Sequence, residues 1–196
     1  MSDILEIIKT RRSVRSYKKE KIKEEEILKI IEAGRWAPSA SNNQPWRFII
    51  VQNEESIKRI GDACKILTIN SFIENSPLII IIYTEKKHRW VDLDCGMCAQ
   101  NMMLEAHSLG IGSCFVGAFR EKKIKEIINL PEEFNIIGLI TFGYKESEKE
   151  ISPRLDLENL IMYDFYKKNS KLKEISKKIK IKSGFLSTIG TFFKKR

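Results

Sequence analysis

Two short stretches carry the side chains best suited to chemistry, and both suit an anionic, hydrogen-bonding ligand. Arg11-Arg12-Ser13-Val14-Arg15 gathers three guanidiniums and a hydroxyl within five residues. In an extended chain alternate side chains share a face, so Arg11, Ser13 and Arg15 point one way and Arg12 the other. Guanidinium forks match phosphate oxygens in charge and geometry, which makes this a phosphate clamp. A solvated basic patch following a helix is an equal reading of the pentapeptide alone. The second stretch, Pro38-Ser39-Ala40-Ser41-Asn42-Asn43-Gln44-Pro45-Trp46, has prolines near both ends that keep it out of a helix. Between them lie hydroxyls and amides, and the apolar run Arg47-Phe48-Ile49-Ile50-Val51 follows at once. A polar loop at the mouth of a buried strand is a usual place for ligand contacts. A plain helix-to-strand connection is the competing reading.

Other chemistries have less support. There is no Ser/His/Asp triad, paired carboxylate or Gly-rich phosphate loop, and Gly110-x-Gly112 is too short for a dinucleotide fingerprint. The four cysteines are Cys64, Cys95, Cys98 and Cys114. Cys95-x-x-Cys98 lacks a second paired spacing, and His88 and His107 stand alone, so no metal site is expected. Buried free thiols packed as small apolar groups are the expectation instead.

The elements that must position the two stretches follow from periodicity. Helices are expected over residues 3–9, with Ser2 or Asp3 as cap, and over 24–35, 55–66, 92–109 and 121–128. Strands are expected over 47–52, 78–83, 112–117 and 136–142. The continuous run Leu78-Ile79-Ile80-Ile81-Ile82-Tyr83 is a strand buried on both faces. Gly110 takes the position just past the long helix. Strands and helices alternate without a regular βαβ rhythm, which indicates an α+β fold, a mixed or antiparallel sheet covered by helices. Residues 92–109 are apolar on both sides: Leu93, Met97, Gln100, Met103, Leu104 and His107 on one, Cys95, Cys98, Ala99, Met102 and Ala106 on the other. Such a helix serves either a monomer core or the interface of a symmetric dimer.

The chain has 196 residues and a net charge of +9. Residues 167–196 hold eleven Lys or Arg against Glu174 alone, so the remainder is close to neutral. A nucleic-acid-binding face on the body is not expected. The first residues include Asp3 and Glu6 and lack a secretion signal, and no apolar run reaches spanning length. A cytoplasmic protein is expected, with a domain over 1–166 and a basic amphipathic tail over 167–196.

In order and spacing these motifs resemble the nitroreductase family of flavin mononucleotide (FMN) enzymes. The resemblance spans roughly residues 2–165. Arg-Arg-Ser-x-Arg followed by Pro-Ser-x-x-Asn-x-Gln-Pro-Trp is similar to that family's N-terminal signature. Residues 94–106 resemble its long central helix, Leu109–Gly117 the strand reaching the flavin ring, Ile140–Tyr144 the strand ending in Gly-Tyr, and Pro153-Arg154 a late phosphate contact. The resemblance implies an intertwined homodimer with two shared sites, and ping-pong transfer of hydride from NADH or NADPH through flavin N5 to a small acceptor such as a nitroaromatic or quinone. It assigns Arg11, Ser13 and Arg12 to the flavin phosphate or ribityl chain, and Arg15 to the pyrimidine edge. Pro38, Ser39, Ala40 and Asn42 touch the flavin from the partner chain. Val116, Gly117 and Ala118 face the ring through their backbone, and Arg154 is the late phosphate ligand. Ser152 stands where the family often has a second base, which shifts phosphate affinity toward the N-terminal arginines. Larger members lid the site with a helical excursion; here residues 83–90 bridge the same interval, and Trp90 either lines the pocket or anchors packing. The alternative function is a flavin-binding redox sensor or carrier without turnover, docking through its basic tail.

In that tail, Leu172, Ile175 and Ile179 recur at helical spacing among lysines, and Phe185, Leu186, Ile189, Phe192 and Phe193 follow Ser183-Gly184. Packing on the dimer is the favoured reading. Replacement of the missing lid and contact with an anionic membrane surface are the others.

Overall fold

A computed structural model describes residues 3–65, 69–148 and 150–165. The tail readings fall outside them. Two compact units divide the chain, Met1–Ile151 and Ser152–Arg196.

The first unit is built on a four-stranded sheet, β1 (Arg47–Val51), β2 (Leu78–Thr84), β3 (Ile111–Val116) and β4 (Asn135–Tyr144), in the order β1-β2-β4-β3 with every pair antiparallel. Among the described residues five α-helices accompany it: α1 (Ile4–Thr10), α2 (Glu24–Arg35), α3 (Glu54–Cys64), α4 (Val91–Ser108) and α5 (Glu121–Ile128). The expected α+β architecture is present, and every expected element appears with ends shifted by at most about two residues.

Strand β2 explains the layering. Its side chains alternate between two buried clusters. Leu78, Ile80 and Ile82 join Ile27 and Ile30 of α2 and Cys98 and Met102 of α4. Ile79 and Ile81 join Ile57 and Ile60 of α3 and Ile124 of α5. Five consecutive apolar residues therefore serve two cores, one on each face of the sheet.

Local signals set the helix ends. Asp3 caps α1 by accepting from Leu5 N at 3.1 Å, and Asn53 caps α3 by accepting from Ser56 N at 2.9 Å. Helix α4 runs into Gly110, which has a φ of +78° and donates its N–H to His107 O at 3.0 Å. One side of α4 is buried through Cys95, Cys98, Ala99, Met102 and Ala106, whereas Leu93 and Met97 are exposed. Among the described residues no helix is long and apolar enough to cross a membrane.

A candidate ligand site at the sheet edge

The arginine-rich segment docks on β3, an edge strand. Ser13 forms a parallel bridge with Ser113, and Val14 N donates to Ser113 O at 2.9 Å. The chain then crosses to the end of β4, where Lys18 N donates to Tyr144 O at 2.9 Å and Tyr17 bridges Lys145. Two glycines make room for the crossing. Gly112 and Gly143 are register partners on β3 and β4. A Cβ on Gly112 would stand 2.8 Å from Val14 Cβ, and one on Gly143 would stand 2.7 Å from Tyr17 Cδ1. The paired glycines form a trough that seats Val14 and Tyr17, both buried. Tyr17 is fixed further by donating its hydroxyl to Val14 O at 2.6 Å, with Thr141 Oγ1 2.7 Å away. With Val14 and Tyr17 turned inward, Arg15 and Ser16 are left exposed.

The guanidiniums have different tasks. Arg12 turns back to α1 and donates through Nη1 to Lys9 O and Arg11 O, both at 2.6 Å, and through Nε to Glu150 O at 3.3 Å. It thereby caps the carbonyls at the helix end. Its Nη2 is buried with no partner among the described residues, as is Ser113 Oγ, on the residue bridged to Ser13. Unpaired buried polar groups are costly, and a phosphate oxygen is a suitable acceptor for Arg12 Nη2. Arg15 reaches the other way, its guanidinium carbon 5.7 Å from the centre of the Phe72 ring.

The segment after β3 approaches from the same side. Asn70, in the left-handed region at φ +69°, donates Nδ2 to Ala118 O at 3.3 Å and to Cys64 O at 3.1 Å. Arg120 N donates to Ala63 O at 2.9 Å, and its guanidinium bonds Asp62 O. Residues 117–119 are thus stapled to the end of α3, and Asn70 and Phe72 link Ala118 to Arg15. Gly117 is exposed, and an added Cβ would meet only Phe115 Cε1, at an ordinary 3.5 Å. The chain's own packing leaves this glycine open, as a backbone approached by an outside group requires. Sequence reasoning does not single out Asn70; its signal is a polar residue preceding Ser71-Phe72 in an otherwise apolar stretch.

The proline-flanked loop lies elsewhere. It leads into β1, the opposite edge strand, so within one chain the sheet's width of about 14 Å separates it from the β3 edge. Ser41, Asn42 and Gln44 have φ of 52°, 54° and 43°. Left-handed backbone at non-glycine residues persists where the surroundings over-determine it. Here Ser39 Oγ accepts from Gln44 N at 2.9 Å, and Asn43 Nδ2 donates to Ala40 O at 2.8 Å. Asp94, buried in the first turns of α4, accepts from Ala40 N through both oxygens, at 3.2 and 3.3 Å. Lys86 Nζ bonds Asn43 O. The loop is held rigid while Pro38, Ser41 and Asn42 face outward. Asp94 is a second residue the sequence did not disclose, because its partner lies 54 positions away.

Arg154 belongs to the second unit, where Nη1 donates to Ser152 O at 3.1 Å and Pro153 O at 3.4 Å. All four cysteines are buried, and none forms a disulfide. Burial pushes the thiols of Cys64, Cys95 and Cys98 up to about 12, with Asp94 and Asp92 adding to the effect at Cys95. Thiolate chemistry is therefore remote from Cys95 and Cys98 at neutral pH. No metal-ligand group gathers among the described residues.

Comparison with known proteins identifies the family. The profile of the Nitroreductase family matches residues 8–70 and 65–144. A protein of Archaeoglobus fulgidus, assigned by its name to the NADH dehydrogenase/NAD(P)H nitroreductase class, is 34% identical over 160 residues, covering 76% of this chain and 90% of that one. An iodotyrosine deiodinase of Thermotoga neapolitana is 23% identical over 176 residues, covering 79% and 95%. Among solved structures, an FMN-dependent nitroreductase of Clostridium difficile superposes with a TM-score of 0.75 at 29% identity, covering 82% of this chain and 99% of that one. With the profile spanning the sheet, the docked arginine segment and the loop before β1, this chain belongs to the nitroreductase family.

Proposed function

We propose that the chain is an FMN-dependent oxidoreductase that takes reducing equivalents from NADH or NADPH and passes them to a small acceptor. The observation that carries this reading is the β3 edge. There the Arg11–Arg15 segment, Asn70, Phe72 and the open backbone at Gly117-Ala118 converge. Arg11 and Ser13 would hold the phosphate, with Arg12 Nη2 as a further donor. Arg15 would sit at the pyrimidine edge, where a cation stabilises negative charge gained on reduction. Gly117 and Ala118 would lie against the ring, held in place by Asn70. When bound, the flavin supplies the hydride chemistry, and the chain supplies position, charge and exclusion of water. Nothing in this arrangement requires a side-chain acid or base.

The loop of residues 38–44 fits as a contribution to the site of a second copy. It is rigid, outward-facing and attached to the opposite edge of the sheet from the clamp. Purification, an absorbance spectrum and anaerobic titration with NADH and NADPH test the whole proposal. A bound flavin bleached by either nucleotide is the expected result. A colourless protein that does not take up FMN defeats the site assignment, and a flavin that neither nucleotide bleaches leaves a carrier or sensor.

A further inference from the structure

We propose that the connection between β2 and α4 is a recognition site for the phosphates of the nicotinamide dinucleotide, with Lys87 and Arg89 selecting the ribose 2′-phosphate of NADPH. This rests on the preceding reading, in which the loop before β1 borders the flavin of a second copy. The connection is joined to that loop at two points. Lys86 Nζ bonds Asn43 O, and Asp94, just beyond the connection, holds Ala40 N. Residues 85–90 therefore lie beside the loop that carries Asn42.

The chemistry of the connection suits a phosphorylated nucleotide. Residues 86–89 read Lys-Lys-His-Arg. Lys86 is committed to the loop, whereas Lys87 and Arg89 are exposed, and neither is ion-paired among the described residues. Arg89 lies over Trp90, its guanidinium carbon 4.1 Å from the ring centre. Trp90 is itself 41% exposed, so a π surface stands beside the two cations. Arg47, at the start of β1 and paired in register with Tyr83, is exposed at the same corner but donates Nη1 to Gln44 O at 3.2 Å and Trp46 O at 2.8 Å, so like Lys86 it serves the loop. Glu85 and Asp92 flank the run and moderate its charge, which disfavours indiscriminate anion binding. A purine with a dianionic phosphate matches this pairing of stacking surface and guanidinium. NADH offers only its diphosphate, so the two cofactors differ at the group these cations would hold.

The test compares KM and kcat at low ionic strength for NADPH, NADH and reduced nicotinamide mononucleotide, which lacks the adenosine. Flavin content is read from the spectrum of each preparation. In Lys87→Gln/Arg89→Gln, KM for NADPH should rise about tenfold or more, that for NADH less, and that for the mononucleotide not at all. Saturated kcat should hold. The charge-keeping pair Lys87→Arg/Arg89→Lys should restore most of the NADPH affinity. An unchanged KM for NADPH overturns the inference, and so does an equal rise with the mononucleotide. A wild-type chain without flavin overturns the underlying function instead. A flavin-loaded enzyme that turns over the mononucleotide but ignores the charge changes defeats only this inference.

Discussion

Single residues at the β3 edge divide between support of the chain and the ligand contacts proposed above. Arg12 does the first, closing the end of α1, and Arg11 is assigned the second. Replacing Arg11 by alanine should weaken FMN binding about ten- to hundred-fold, the size of one charge-assisted hydrogen bond, with the fold retained. Fluorescence titration of apoprotein with FMN measures it, and unchanged affinity would sink the assignment of the phosphate site. His107 offers a pH handle on the same region. Thr10 donates its hydroxyl to Glu6 O at 2.7 Å, so the 2.9 Å contact with His107 requires the imidazole Nε2 to donate. Burial lowers the His107 pKa below its ordinary 6.5, and Lys145, Arg11 and Arg12 lower it further against an opposing pull from Glu148. A base depressed in the folded state takes up its proton more readily when unfolded. Above pH 6.5 it costs nothing, and stability is lost as pH falls from 6.5 through the folded value. The Tm of the wild type should therefore drop relative to His107→Gln on acidification below that point, the glutamine amide still donating to Thr10. Parallel Tm curves across this range would refute the assignment.

At the level of elements, the docked segment depends on the glycine trough. Gly112→Ala places a methyl against Val14, which is buried, β-branched and unable to swing aside. Overpacking of this kind costs about 1–3 kcal/mol. Because Val14 lies between Ser13 and Arg15, urea denaturation and FMN titration should both report a loss. Undiminished FMN affinity in a destabilised Gly112→Ala would show that Val14 does not set the clamp. Much of this level was legible in the sequence. Helix α2 occurs over the residues its apolar spacing specifies, α5 likewise, and the unbroken isoleucine run forecast β2 with both faces covered. The local rules reach that far because period and capping are properties of neighbours. What they missed is non-local. The extended reading of residues 11–15 turned Arg12 away from the shared face, but only the tertiary structure shows that it closes α1. The Asn70 and Asp94 bonds join residues 48 and 54 positions apart, a distance that rules about neighbouring residues do not span. The left-handed Ser41, Asn42 and Gln44 also escaped the sequence, since those conformations are imposed by the contacts that surround them.

For the whole molecule, the second copy proposed above would cover apolar residues that the single chain leaves in water. Ile4, Leu5 and Ile8 of α1 and Leu93 and Met97 of α4 are all exposed in the single chain, more than isolated surface apolar groups would explain. If the loop before β1 serves a second copy's flavin, a mixed dimer is informative. With Arg11→Ala in one chain and a loop-disrupting Asn42→Pro in the other, one site should carry both lesions and the other none. Half the flavin should then bind with wild-type affinity, whereas two equal and singly weakened sites would exclude a shared loop. The docking of residues 13–18 on Ser113 and Tyr144 has a temporal side as well. During synthesis the arginine segment leaves the ribosome before its seat does, the antiparallel strands β3 and β4 being made about a hundred residues later. Until β3 and β4 have paired, the arginines stand on an undocked arm, so the clamp proposed above is completed only late in the chain's synthesis.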